Sequence, residues 1–162
     1  MNFQKHSVNR NGFTLIELIT TIILVGVLSA TAIPKLFNYS VYQQRTLFDD
    51  TLNAIRYAEK LAVATSCNVM VQITGNQYTV LRPTLTDRSK CTSTTNTDFT
   101  LAVSRPGTSE TSYQNSVSGI SLTSTAQYIF FQAYGNTSSA ATITVGSQTI
   151  NIVQATGFVY AP

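Results

Sequence analysis

The stretch that decides the fold is G-F-T-L-I-E-L at residues 12–18, which opens an apolar run that continues to Ile33. From Phe13 to Ile33 there are 21 residues, and Glu17 is the only ionisable one. At about 1.5 Å per residue, a helix of this length crosses a hydrocarbon core about 30 Å thick. The sequence therefore predicts a transmembrane helix at residues 13–33.

The charges around this run predict its orientation. Lys5 and Arg10 precede it, and residues 1–12 contain no acid. Such a bias keeps the preceding side cytoplasmic and leaves everything after Ile33 on the outer side, so we expect a single-pass membrane protein. Glu17 near one end of the helix costs on the order of 2–3 kcal/mol or more, depending on depth, and calls for a partner.

A basic leader ending at Gly12, the motif that follows it and an apolar helix closing at Pro34 resemble the class III signal of type IV pilins and pseudopilins. The resemblance implies that a prepilin peptidase removes residues 1–12 by cutting between Gly12 and Phe13, and that the new amine of Phe13 is methylated. In the family, the acid at the Glu17 position lies near the N-terminal amine of a neighbouring subunit and sets register during assembly. A buried carboxylate is tolerable when an ammonium neutralises it.

Two other interpretations compete for this stretch. An ordinary secretory signal would use Ala30-Thr31-Ala32 as its cleavage site, but the apolar run is long for such a signal and contains an acid. A plain membrane anchor without an assembly role would leave the Gly12–Phe13 pair and Glu17 unexplained.

A helical pattern continues beyond Pro34, so we expect one long helix from about Thr14 to about Thr65. Residues 34–66 would be its amphipathic continuation, packed under a sheet. The apolar positions recur at spacings of three, four or seven: Val41, Phe48, Leu52, Ile55, Ala58 and Ala62. Pro34 removes one helical hydrogen bond, which predicts a kink there. In related pilins the segment that ends at this proline loosens in the filament.

Residues 67–162 are expected to form an antiparallel β domain, which makes the fold α+β and pilin-like. Alternating apolar residues predict hairpins around Gly75-Asn76 and around Gly146-Ser147. Shorter strands are predicted at residues 99–103, 117–122, 128–131 and 158–160, and residues 83–98 are predicted to be a polar loop.

The two cysteines, Cys67 and Cys91, lie in the part expected to be exported. Because that compartment is oxidising, a disulfide between them is the expected state. Two free buried thiols are the alternative.

Residues 111–162 contain no charged side chain. Either they form a hydroxyl- and amide-rich exposed sheet, or they form a surface that packs against other subunits. Their apolar and glycine positions, from Phe130-Phe131 and Gly135 through residues 141–153 to Gly157, resemble GspH/FimT-type minor pilins and pseudopilins. The region around Cys67 also resembles minor subunits of the mannose-sensitive haemagglutinin pilus.

These resemblances imply a minor pilin or pseudopilin, which is a structural subunit of a type IV pilus or of a type II secretion pseudopilus. The implied partners are other pilin or pseudopilin subunits, the prepilin peptidase, the inner-membrane assembly platform and membrane lipid. The implied location is first the inner membrane, as a single-pass protein with a cytoplasmic N-terminus and a periplasmic globular domain, and then the filament.

A DNA-binding minor pilin for DNA uptake is the alternative function. The cations Arg82, Arg88, Lys90 and Arg105 lie in the middle of the chain and offer phosphate contacts. Some FimT-type subunits also carry a basic tail after the final glycine, whereas residues 157–160 here contain no Arg or Lys. We therefore expect no nucleic-acid partner.

We expect no enzyme activity. The only histidine, His6, lies in the leader, so the processed chain has no Ser–His or Cys–His nucleophile arrangement. The acids Asp87, Asp98 and Glu110 lie singly in polar loops, so no cofactor or metal site is expected.

Overall fold

A computed structural model describes residues 12–36, 39–84 and 86–162, without the side chains of residues 31–36. The chain divides into two compact units, Met1–Asn38 and Tyr39–Pro162. The predicted leader lies outside the described residues apart from its last residue, Gly12.

The first unit contains helix α1, Leu15–Leu36, which has 22 residues. Most of its described side chains are isoleucine, leucine or valine, and the polar ones are Glu17, Thr20, Thr21 and Ser29. In the part of the chain that the structure describes, no helix combines the length and the apolarity needed to cross a membrane. The predicted transmembrane passage of residues 13–33 is therefore not shown by the structure.

The second unit opens with helix α2, Tyr39–Thr65. One face of α2 is buried and consists of Leu47, Phe48, Thr51, Ala54, Ile55, Ala58 and Ala62. Val41 was predicted to lie on this face and is 62% exposed, so that prediction was wrong. Val41 lies one turn before Gln44, whose Nε2 donates a hydrogen bond to Ser147 Oγ at 2.9 Å.

The predicted single helix appears as α1 and α2, with residues 37 and 38 between them outside the described part. Position 34 belongs to the backbone of α1. The side chain of Pro34, on which the kink prediction depends, lies outside the described residues.

The described residues after α2 form nine strands: β1 (Val69–Thr74), β2 (Gln77–Arg82), β3 (Leu101–Ala102), β4 (Gln114–Ser116), β5 (Leu122–Ser124), β6 (Tyr128–Phe131), β7 (Ala141–Val145), β8 (Gln148–Ile152) and β9 (Val159–Tyr160). They make two antiparallel sheets. The first sheet has the order β3-β2-β1-β6, with β4 also paired to β2, and the second has the order β5-β7-β8-β9.

Both predicted hairpins are confirmed. In the first, Ile73 pairs with Tyr78, and in the second, Ile143 pairs with Ile150. The second hairpin alternates as expected, because Ile143, Val145 and Ile150 are fully buried while the threonines between them are partly exposed. The outer face of this sheet is thus uncharged and consists of partly exposed threonine and asparagine side chains.

One predicted strand, at residues 117–122, was wrong. The amide of Ile120 donates to the carbonyl of Val117 at 3.2 Å, and Gly119 has a φ of 82°. This turn prevents pairing, and strand β5 begins only at Leu122. Strand β4 was not predicted, because Gln114–Ser116 is polar and carries no apolar alternation.

The core lies between α2 and the two sheets. Helix α2 contacts strands of both: β1, β2, β4 and β6 of the first sheet, and β7 and β9 of the second. Three alanines spaced one turn apart on α2, Ala54, Ala58 and Ala62, are completely buried. Small side chains at these positions let the helix lie close to both sheets, so that one helix packs against two layers.

The C-terminal glycines that resemble the GspH/FimT pattern have a structural explanation. Gly157 has a φ of 65°, and a Cβ at this position would lie 2.2 Å from the carbonyl oxygen of Gly135. Gly157 therefore provides both a left-handed conformation and a close backbone contact between the turn after β6 and the turn after β8.

We predict that Gly157→Ala lowers the free energy of unfolding by more than about 3 kcal/mol, because it adds a clash with backbone to the conformational strain. Gly75→Ala is the matched control, since Gly75 has a similar φ of 59° but open space around its Cβ position. Gly75→Ala should cost only about 1–2 kcal/mol. Urea unfolding of the full chain in detergent, followed by tyrosine fluorescence, measures both. Equal losses would contradict the proposed backbone contact.

Candidate functional site

The N-terminal segment of the described chain places an acid in the first turn of an exposed helix. Thr14 caps α1, because its Oγ1 accepts a hydrogen bond from the amide of Glu17 at 3.3 Å. The spacing Thr-x-x-Glu is that of a capping box, and an acid in the first turn is favoured by the helix dipole. Glu17 is thus fixed one turn after Phe13, the residue that would carry the new amine.

The apolar side chains of this segment are not covered. Phe13 is 80% exposed and Leu15 is 76% exposed. Other exposed apolar residues are Ile16, Leu18, Ile22, Ile23, Leu24, Val25, Val27 and Leu28. Each Å² of apolar surface that is removed from water stabilises by about 25 cal/mol. Covering even half of the apolar surface that these side chains expose would therefore contribute many kcal/mol. Such a large exposed apolar surface is typical of a site of contact with other hydrophobic groups.

A disulfide joins Cys67 and Cys91, the pairing expected from the sequence. It attaches the loop after β2 to the end of α2. The buried side chain of Asn68 extends this connection, because its Nδ2 donates to the carbonyl of Ser93 at 3.0 Å and its Oδ1 accepts from the amide of Ala133 at 3.2 Å. Three segments that are distant in sequence are thereby held at one point.

A second polar centre was not predicted from the sequence. It surrounds Asp50 on α2, whose carboxylate accepts hydrogen bonds from the Tyr78 hydroxyl at 2.6 Å and from Asn115 Nδ2 at 2.6 Å. Arg105 binds both oxygens of the same carboxylate through its two terminal nitrogens. The Arg105 guanidinium also lies 4.5 Å from the centre of the Tyr113 ring, a cation–π contact.

Glu110 adds a further acid to this centre. Its Oε2 lies 2.7 Å from Arg105 Nε, an ion-pair contact without hydrogen-bond alignment. Glu110 is more than half exposed, so this contact contributes less than the paired Asp50 does. The loop that carries Arg105 and Glu110 is thus attached to α2 by charge.

The environment of Asp50 changes the acidity of its neighbours. Burial raises the pKa of the Asp50 carboxyl, but the hydrogen bonds from Arg105, Tyr78 and Asn115 outweigh burial and hold that pKa below its ordinary value. Burial, and then the hydrogen bond to Asp50, raise the pKa of Tyr78 well above its usual range. Tyr78 and Arg105 therefore remain protonated at any physiological pH, and the centre acts as a fixed structural tie.

The four cations of the middle segment have different surroundings. Arg105 is bound to Asp50, and Lys90 Nζ lies 3.1 Å from Asp98 Oδ1. Arg82 and Arg88 make no ion pair with any described carboxylate. The four cations thus do not form one free basic patch. Among the described residues, no three potential metal ligands of the His, Cys, Asp or Glu type lie together.

Comparisons with known proteins agree on the N-terminal motif and on the fold. Residues 8–33 match the family model of the prokaryotic N-terminal methylation motif. The minor pseudopilin EpsH from the type 2 secretion system of Vibrio cholerae superposes with a TM-score of 0.51 at 11% identity, covering 73% of this chain and 94% of that chain. The type IV minor pilin FimU of Pseudomonas aeruginosa gives a TM-score of 0.45 at 16% identity, covering 69% and 87%. No curated protein matches in sequence.

The pKa of Asp50 predicts how stability depends on pH. Its folded-state pKa lies below the ordinary value of 3.8, so the unfolded chain takes up a proton first as pH falls. The free energy of unfolding should therefore decrease as the pH falls below about 4 and continue to decrease through the folded-state pKa.

Asp50→Asn should remove part of this dependence and lower stability at neutral pH by about 3 kcal/mol, since it breaks a largely buried pair. Asp49→Asn, on the exposed neighbouring residue, is the control and should leave the acid-dependent loss in place. Urea unfolding of the full chain at several pH values between 2 and 7 measures the slopes. An unchanged slope in Asp50→Asn would contradict the assignment.

Proposed function

Since the chain is type IV pilin-like in its N-terminal methylation motif and in its fold, we propose that it is a minor pilin or pseudopilin, a structural subunit of a type IV pilus or a type II secretion pseudopilus. The observation that carries the proposal is the exposed, largely apolar helix α1, most of which lies within the matched motif. Neighbouring helices of the same kind, or lipid before assembly, supply the missing cover.

Processing is the first step of the proposed function. A prepilin peptidase cuts between Gly12 and Phe13, and the new amine of Phe13 is then methylated. Before the cut, residues 13–33 anchor the chain in the inner membrane with the N-terminus cytoplasmic, as the charges of Lys5 and Arg10 favour. Support for the anchor comes from the motif and from the apolar side chains of α1.

Charge pairing is the second step. After cleavage, Glu17 lies in an apolar helix without a described cation at its side chain, so its carboxylate must be neutralised when lipid or helices cover it. The amine of Phe13 from a neighbouring subunit is a suitable partner, because an ammonium next to a carboxylate offsets the cost of burying both. The inner-membrane assembly platform would present the subunits to each other.

A nucleic-acid-binding role is the weaker proposal. Two of the four cations on which it depends, Lys90 and Arg105, are held by Asp98 and Asp50. The C-terminal segment after Gly157 adds no cation. No catalytic role is proposed either, since the polar centre around Asp50 is a structural tie with its oxygens already hydrogen-bonded.

We predict that mass spectrometry of the protein from cells finds an N-terminus at N-methylated Phe13. Gly12→Arg should leave the uncut precursor in the membrane, because the peptidase needs a small residue at the cut. Gly26→Ala, inside the same apolar helix but away from the cut, is the control and should be processed normally. A mature N-terminus at Ile33 would instead indicate a secretory signal.

We also predict that Glu17→Val is processed and inserted as the wild type is, and that it is lost from sheared filaments. The variant makes α1 more apolar, so any defect must arise in assembly rather than in the membrane. Glu110→Gln, which removes an exposed acid from the globular unit, is the control and should be incorporated. Normal incorporation of Glu17→Val would refute the charge pairing.

A further inference from the structure

A cavity of about 620 Å³ opens beside the disulfide at the end of α2. The Cys67–Cys91 bridge forms part of its wall, Arg82 lines it from the end of β2, and Arg88 lines it from a short 3₁₀ helix, Arg88–Thr92. The bridge covalently joins the end of α2 to the loop after β2, the two segments that carry most of the lining residues. Its volume is in the range of pockets that hold small molecules, about 300–1,000 Å³.

The cavity is positively charged. No acid is among its lining residues. Within the described residues, the guanidinium groups of Arg82 and Arg88 form no ion pair and donate no hydrogen bond. Asp87, the acid next to Arg88 in sequence, instead accepts bonds from the amide and the hydroxyl of Ser89. This is unusual in a chain whose other two middle cations are both paired.

One donor in this cavity wall is also buried without a partner. The Nε of Arg82 is shielded from solvent and has no hydrogen-bond acceptor among the described groups. A buried donor without a hydrogen bond is unfavourable, so the Arg82 side chain is not satisfied by the described groups around it.

The end of α2 does not neutralise the charge. Thr65 and Ser66 lie at this end and line the cavity, and a helix C-terminus carries about half a negative elementary charge. Two guanidinium groups carry two positive charges, so an excess of about 1.5 positive charges remains. The hydroxyl groups of Ser66 and Thr92 also line the cavity, whereas the Thr65 hydroxyl already donates a hydrogen bond to the carbonyl of Leu61 at 2.7 Å.

We propose that this cavity is a binding site for a small ligand that carries a phosphate or sulfate group on a polar body, such as a sugar phosphate. Arg82 and Arg88 bind the anionic oxygens, because planar guanidinium groups pair with tetrahedral oxyanions through two parallel hydrogen bonds. The hydroxyls of Ser66 and Thr92 bind the polar body. The remaining volume exceeds that of a bare phosphate, which favours a group attached to a carrier. All of its lining residues belong to the second unit, and none lies in α1, on which the proposed filament assembly depends.

The test uses the full chain in a neutral detergent, labelled with ¹⁵N, at constant ionic strength. The probes are inorganic phosphate, sulfate, glucose 6-phosphate and, as a neutral reference, glucose. We expect saturable shifts of the amides at residues 65–67 and 88–92 with the three anions, tightest with glucose 6-phosphate, and none with glucose. Shifts that grow linearly without saturation would overturn the proposal.

Three variants separate site binding from general charge attraction. Arg82→Gln and Arg88→Gln should each weaken binding of glucose 6-phosphate about tenfold or more. Arg88 is exposed, so its variant keeps the test valid if Arg82→Gln unfolds. Arg45→Gln removes the same charge from the exposed face of α2 and should change the affinity by less than about twofold. Equal weakening by all three variants would overturn the proposal.

A further titration, with a polyanion, distinguishes a small-ligand site from a nucleic-acid-binding surface. Single-stranded oligonucleotides of increasing length are titrated under the same conditions. If the site binds only a small ligand, the affinity per oligonucleotide end should not rise with the length of the oligonucleotide. Affinity that rises steadily with length and falls steeply with salt would overturn the small-ligand proposal in favour of a polyanion surface.

Discussion

Burial of one face of α2 against two sheets at once is the constraint on which the rest of the globular unit depends. The helix touches strands of both sheets, and its three completely buried alanines set how closely the layers approach. Larger side chains at Ala54 or Ala58 would push the sheets apart and leave Ile143 and Ile150 without cover. The two sheets are therefore organised by the helix more than by direct strand pairing between them.

Polar ties hold the part of the chain where apolar packing is weak. Residues 83–116 contain short strands and many polar residues, so burial alone does not determine their path. The disulfide with Asn68 attaches the first half of this segment, and Asp50 with Arg105 attaches the second. Each tie joins the segment to an element that is already rigid, helix α2 or strand β1. The tie therefore costs little conformational entropy outside the segment itself.

The distribution of charge distinguishes three kinds of surface on the globular unit. Cations with partners, such as Arg105 and Lys90, stabilise loops. Arg82 and Arg88, which pair with none of the described acids, line the cavity that is proposed to bind an anionic ligand. The outer face of the second sheet has no charge at all, which suits contact with other subunits because no ion needs to be stripped of water there. The apolar helix α1 requires cover from lipid or from other helices.

The sequence by itself determined the elements whose signal is local. The apolar run behind G-F-T-L-I-E-L, the two hairpins with glycine turns and the last short strand could be read from periodicity, because period and turn residues act over a few neighbours. The position of Glu17 in the first turn is likewise a local property of the Thr14 cap.

Only the tertiary structure decided what depends on contacts between distant residues. Asp50 and Arg105 are 55 residues apart, and nothing near either one indicates the other. The buried side of Tyr78 in β2 was the one available signal, since a buried hydroxyl requires a partner. Strand β4 exists only because β2 offers it an edge, and Gly157 is needed only because the chain folds it onto Gly135. Long-range pairing of this kind depends on the packing of the whole fold. The local sequence pattern therefore could not predict these contacts.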